Sequence, residues 1–337
     1  RHPVLKTSSA QASPAGSAAG LTAGSSLNEP PLSGDQPLEP RTRLRNILVA
    51  LFAIGVPLAW MRDPQLVWQP LLPIPLLFLS PRGASRVLVF FAAVLVVVGG
   101  GVTTFREGMA VPDWPQTFSE NMWTYSFEEM MAGGKGVMLE HIHRLWASAL
   151  GLVAICVLAT CYITRARLSV TIFSGLVLLA IIGQGLLGGT RVLENSQNLA
   201  FLHGAIAQAV VASMVALAVY CSRTWNRVQP VASKYARGAH FLGPWVVGFV
   251  YGQIMLGAWL RHQGQTIALL IHLTLARLVL VAVRVLAKQL GVAAKEAPAE
   301  AAPSVRPLAR IQTWLLGSLI TQLLLGVLAT YAIYELS

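Results

Sequence analysis

Apolar and polar positions divide this chain sharply. Long runs with almost no charge fall at about 86–104, 141–163, 168–189, 199–221, 241–260, 265–287 and 311–333. A helix needs about 20 apolar residues to cross a bilayer, with roughly 17 as the lower limit, so the pattern predicts seven transmembrane helices. Two further apolar stretches, 46–61 and 66–80, are shorter, and the second contains Pro70, Pro73 and Pro75, which interrupt a helical hydrogen-bond ladder. Together they read as a candidate membrane hairpin over 45–82. Residues 1–44 are rich in Ser, Ala, Gly and Pro without apolar periodicity. They read as a disordered tail, since such a segment buries too little apolar surface to offset its ordering entropy. With no signal-peptide stretch and Arg1 in place of an initiating Met, the chain is expected to be a fragment of a longer product.

Composition turns this pattern into an exclusion. Hydrophobic residues make up 55% of the 337 positions and charged residues 12%, with mean hydropathy +0.60. An ordinary soluble domain carries about 25% charged residues, so a soluble enzyme is excluded and an all-α polytopic membrane protein is expected. The net charge of +11 is explained by the loops rather than by a nucleic-acid partner, and none is expected. The loops 164–168, 222–238 and 288–310 are basic, whereas 105–139 holds Arg106 and Lys135 against Glu107, Asp113, Glu120, Glu128 and Glu129. By the positive-inside rule the basic loops face the cytoplasm and the acidic loop faces out. The outer loop also holds Trp114, Phe118, Trp123, Tyr125 and Phe127, read as an interfacial aromatic belt or as a cap. Cys156, Cys161 and Cys221 lie in or beside apolar runs, where they pack as small apolar groups and form no disulfide framework.

Two patterns alternate along the spans. The third, fifth and seventh carry Q-x-x-L-G at Gln184–Gly188, Gln253–Gly257 and Gln322–Gly326. The second, fourth and sixth carry a His followed four residues later by Ala, at His143, His203 and His272. Three of each in strict alternation indicate a duplicated unit, with the small residues allowing close helix approach. Two His-bearing helices opposed in a bundle suit bis-imidazole ligation of a flat iron cofactor. The plainer alternative is that each His hydrogen-bonds across helices.

The densest motif is Leu139-Glu-His-Ile-His-Arg144. On a helix Glu140, His143 and Arg144 share one face, while His141 lies about 200° from His143. Helical phase therefore selects His143 as the ligand and leaves His141 interfacial. Arg144 is positioned to bind a propionate or to pair with Glu140.

These motifs resemble those of the heme A synthase family. The resemblance rests on E-x-x-H-R at Glu140–Arg144, G-G-x-V-T-T-F-R-x-G-M-A-V-P-D-W-P at Gly99–Pro115, R-H-Q-G at Arg261–Gly264 and the alternating His and Q-x-x-L-G spans. It covers about residues 86–333. It implies eight helices in two pseudo-symmetric four-helix-bundle halves, here 83–223 and 239–337, with the last helix missing from this chain. It implies oxidation of the C8 methyl of heme O to a formyl, giving heme A, with heme O in the N-terminal half and an electron-passing heme b in the C-terminal half. His143 and His203 are the implied ligands of the first heme and His272 of the second; Glu140 is the implied catalytic acid, with Arg144 and Arg261 near the heme carboxylates. The residues agree on one asymmetry, because Leu269 and Leu273 stand where the first half has Glu140 and Arg144. The family often has a Cys pair in its outer loops, which this chain lacks. The expected setting is the lipid bilayer of a bacterial plasma membrane. Heme O synthase is a candidate partner, a homo-oligomer a candidate assembly, and the electron donor is left unidentified. The rival readings are a diheme cytochrome b-like electron-transfer protein or heme transporter without catalysis, and a helical scaffold without cofactor.

Overall fold

The computed structural model describes residues 74–227, 233–263, 266–297 and 302–336. The expected tail over 1–44 and most of the expected hairpin lie outside the described residues. Among those described are a 3₁₀ turn at Ile74–Phe78 and helices α1 (Pro81–Thr104), α2 (Phe127–Ala132), α3 (Gly134–Ile163), α4 (Leu168–Leu193), α5 (Gln197–Tyr220), α6 (Arg223–Arg227), α7 (Lys234–Gln263), α8 (Thr266–Glu296) and α9 (Ala302–Leu336). There is no strand among them, only an isolated bridge between Thr117 and Glu120. Seven helices (α1, α3, α4, α5, α7, α8 and α9) are long and apolar enough to cross a membrane. They coincide with the seven predicted spans and extend past most of them by a turn or more, since hydropathy detects the apolar stretch and not the polar turns continuing it. The chain is a multi-pass integral membrane protein.

Local chemistry fixes the helix starts. Ser80 caps α1 by accepting the Gly83 N–H at 3.3 Å, with Pro81 at the first helical position. Ser196 caps α5 in the same way through Leu199 N–H. Ser126 and Glu129 form a reciprocal capping box on the short α2.

The N-terminal half closes into a ring. α1 packs on α3 and α5, and α4 packs on the same two, so α3 and α5 oppose one another across the diagonal. The core includes Leu88 and Phe91 of α1, Trp146, Leu150 and Val157 of α3, Val177 of α4 and Met214 of α5. The 3₁₀ turn joins this core through Leu76, whose carbonyl accepts from Thr160 Oγ1 at 3.3 Å. In the C-terminal half α8 packs against both α7 and α9, with a smaller core around Val246, Val279 and Val283. Tyr251 O–H donates to the Ala205 carbonyl at 3.2 Å and ties α7 to α5.

Candidate functional site

The segment between α1 and α3 folds back over one end of the first ring, and the residues that hold it there surround the His-bearing face of α3. Arg144 is the main tether. Its Nη1 donates to the carbonyls of Asp113 (2.6 Å) and Gln116 (2.9 Å), and its Nη2 to the Val111 carbonyl (2.6 Å) and to Glu140 Oε1 (2.8 Å). The other Glu140 oxygen accepts the Val111 N–H at 3.0 Å. Glu140 is 2% exposed and Arg144 8%, and theirs is the one ion pair among the described residues. A buried pair so fully hydrogen-bonded satisfies the desolvation demands that otherwise make buried charge unfavourable.

Three further contacts close the cap. Gly189 of α4 lies against Trp114 so closely that a Cβ there would overlap the indole. Gly136 gives the same room to the Glu107 carboxylate. Asp113 accepts the consecutive N–H groups of Phe118 (2.9 Å) and Ser119 (2.7 Å), both at positive φ. Burial alone raises the Asp113 pKa, but these two N–H bonds and the nearby Arg144 outweigh it and hold the carboxyl below its ordinary value.

His141 departs from expectation. Its helical phase sets it apart from His143, yet it is fully buried rather than interfacial, because the cap covers that side of α3. Its Nδ1 pairs with Thr117 Oγ1 at 2.9 Å, and its ring packs at 5.2 Å from Tyr125. Tyr125 is buried, with Val111, Met130 and Val137 around it, so the loop aromatics act in part as packing for the cap.

Each ligand candidate sits on a glycine of a neighbouring helix. A Cβ on Gly99 of α1 would lie 2.9 Å from His143 Cε1, one on Gly188 of α4 2.8 Å from His203 Cε1, and one on Gly257 of α7 3.2 Å from His272 Cε1. The Q-x-x-L-G motif thus does more than bring helices together: its glycine seats an imidazole and its glutamine holds it. Gln184 Nε2 lies 3.1 Å from His203 Nδ1 and donates to the His203 carbonyl at 2.6 Å. Gln253 Nε2 lies 2.9 Å from His272 Nε2. Both amide oxygens lack a partner, leaving an acceptor beside each ring for an imidazole N–H. α1 has the glycine but carries Leu95 in the glutamine's place, and His143 Nδ1 is buried without a partner.

His143 and His203 lie on the opposed helices α3 and α5, one ring against Gly99 of α1 and the other against Gly188 of α4. Arg191, in the last turn of α4, acts on both imidazoles and is itself acted on by Glu140 and Arg144. The sequence reading missed it. Its guanidinium lies against Gly108, and its one hydrogen bond, from Nη2 to the Gly108 carbonyl at 3.2 Å, leaves other donors available. A signal was present, since Gln184, Gly188 and Arg191 stand at i, i+4 and i+7 on one helical face. Arg144 has the pairing role expected of it. Both terminal nitrogens of Arg144 are taken by the cap and Glu140.

Among the described residues no three His, Cys, Asp or Glu converge on one point. Two opposed imidazoles without a third protein donor suit an iron whose remaining positions come from a macrocycle. The unpartnered His143 Nδ1 and the glycine seats fit such a group. The family model COX15-CtaA, described as cytochrome oxidase assembly protein, matches residues 85–270, more than half of the chain. The chain belongs to this family, the heme A synthase family. No curated protein and no solved structure matches it. The family match spans the whole cap, His143, Arg191, His203 and the Gln253–Gly257 seat, and stops two residues short of His272. Arg261 lies in the last turn of α7, and its side chain is outside the described residues.

Proposed function

We propose that this member of the heme A synthase family is an oxidoreductase that converts the C8 methyl of heme O to a formyl, giving heme A, by two hydroxylations, each drawing on a two-electron oxidant from outside the chain, and loss of water from the resulting diol. The carrying observation is the pair His143 and His203 on opposed helices, each seated on a glycine, with a cap tied to Glu140 over one end of the ring. In this reading residues 83–223 would take the substrate, with His143 and His203 as the residues that would hold its iron. Glu140, one turn from His143, is the acid–base group at the reacting edge. Arg191 holds a substrate carboxylate, and the cap excludes bulk water. His272, steadied by Gln253 and seated on Gly257, would hold heme b in residues 239–337 together with Arg261 near its carboxylates. Heme b supplies one-electron redox chemistry when bound there. The exposed Leu269 and Leu273 of α8 offer no acid–base group, which supports chemistry in the first half and electron relay in the second. The capped end would face away from the cytoplasm of a bacterial plasma membrane. An electron donor, heme O synthase and a second copy of the chain are the partners this reading leaves to be identified.

One observation favours the rival, a heme carrier without catalysis: both Glu140 oxygens are already occupied in holding the cap. The test is extraction of pigments from cells given the chain and a heme O source, followed by chromatography. Heme A appearing only with the chain supports the enzyme. Unconverted heme O with a bound Soret band supports the carrier, and no Soret band supports a scaffold.

Arg191 has its own test, which needs no turnover. Charge-assisted hydrogen bonds are worth about 1.5–3 kcal/mol, so the wild-type chain is expected to bind ferric heme roughly tenfold or more tightly than its dimethyl ester. Arg191→Gln should bind the two alike in Soret titrations. Undiminished discrimination in that variant rules out the carboxylate assignment.

A further inference from the structure

At the end of the first ring opposite the cap, a cleft of about 340 Å³ lies between the starts of α1 and α4 and the end of α5. Arg82, Arg167 and Arg223 line it, along with Tyr220, Asn226 and the apolar Val170. The positive-inside bias explains the sign of these loops but not the convergence of three guanidinium groups from three segments distant in sequence. Arg82 is acted on by the like charges of Arg223 and Arg86. Between residues 74 and 227 every carboxylate (Glu107, Asp113, Glu120, Glu128, Glu129, Glu140 and Glu194) lies in the cap or at the capped helix ends. None of the three arginines forms an ion pair among the described residues.

Contacts around Tyr220 fix one wall of the cleft. Arg167 lies over the Tyr220 ring, 5.1 Å from its centroid, and Tyr220 O–H donates to Ser169 Oγ at 2.9 Å. Trp225 and Phe173 pack edge-on against that ring at 5.9 and 6.3 Å. Beside it, Tyr162, Ile163 and Leu168 present exposed apolar surface. A cationic cleft opening onto an apolar surface suits an occupant with an anionic head and an apolar tail. Two long helices also start at this cleft, and their positive dipole ends add to the same sign.

We propose that this cleft binds the phosphodiester headgroup of an anionic phospholipid. Guanidinium groups recognise phosphate by paired N–H donors, and basic pockets between membrane helices are known headgroup sites. The site is independent of the heme reading and holds the inner ends of α1, α4 and α5 together.

The test is lipid retention by the purified full chain, read by native mass spectrometry after equilibration with phosphatidylglycerol or phosphatidylcholine. The expected result is at least a tenfold preference for phosphatidylglycerol that equimolar inorganic phosphate does not displace. The triple variant Arg82→Gln/Arg167→Gln/Arg223→Gln should lose that preference, while Arg165→Gln, at the same end but outside the cleft lining, should keep it. Equal retention of the two lipids by the wild type overturns the proposal, as does equal loss in both variants. Displacement by inorganic phosphate overturns it in favour of a free-phosphate site. The wild-type comparison and the phosphate arm need no variant to fold.

Discussion

Glu140→Ala is expected to loosen the cap before it affects any chemistry. The substitution leaves the 8%-exposed Arg144 guanidinium without its countercharge and the Val111 N–H without an acceptor. Breaking a buried ion pair from one side costs about 3–5 kcal/mol, a large fraction of the stability of most domains. Thermal unfolding in detergent should shift down markedly, and limited proteolysis should cut within 105–133 sooner than in the wild type. Glu140→Gln keeps an acceptor for one of the two donors and sets its NH2 against the other, and should cost less than the alanine because one of the two hydrogen bonds survives. That variant separates the two roles of the residue. A stable, heme-binding Glu140→Gln chain that makes no heme A assigns the carboxylate to the reaction. One that makes heme A normally reduces Glu140 to a clamp, and the catalytic assignment falls.

Gly188→Ala is expected to impair heme binding as severely as His203→Ala, although it adds one methyl group and removes nothing. The new Cβ would lie 2.8 Å from His203 Cε1, so the ring must leave its seat. Overpacking of this kind costs about 1–3 kcal/mol, and the displaced imidazole no longer aims across the ring of helices. Gly183→Ala and Gly185→Ala, on the same helix with nothing within 4 Å of the added atom, should titrate with ferric heme as the wild type does. A normal Soret titration for Gly188→Ala would mean that the glycine does not set the position of the ring.

The fold was largely legible because membrane spans announce themselves by length and apolarity, which require no knowledge of tertiary contacts. The repeat was legible for a related reason: a duplicated unit leaves the same residues at the same helical depth, as at His143, His203 and His272. What stayed hidden were contacts made by chain crossing back over itself. His141 was correctly placed on a different face from His143, but its surroundings come from Thr117 and Tyr125, in a loop whose path no helical period encodes. The acceptors of Arg144 are backbone carbonyls 28 to 33 residues away, and carbonyls carry no sequence signature. Arg191 was hidden differently. The apolar run ends at 189, two residues before it, whereas continuing the helix two turns beyond Gln184 keeps it on the face that carries Gln184 and Gly188. The glycines were recognised as small but not as seats, because a seat is defined by the ring resting on it.

The cap also decides how any ligand of the two imidazoles arrives. Arg144, Trp114 and Arg191 fasten the covering segment to both α3 and α4. On the proposed function, a porphyrin dissolved in the membrane would slip in sideways, between helices, without passing through water. The wall of α1 beside His143 is thinned by Gly99, Gly100 and Gly101, and a side chain at Gly100 would meet nothing within 4 Å. On that same proposal, entry through this wall would favour a greasy, tail-bearing guest handed over within the lipid over water-soluble competitors, so selection would begin before any imidazole is reached.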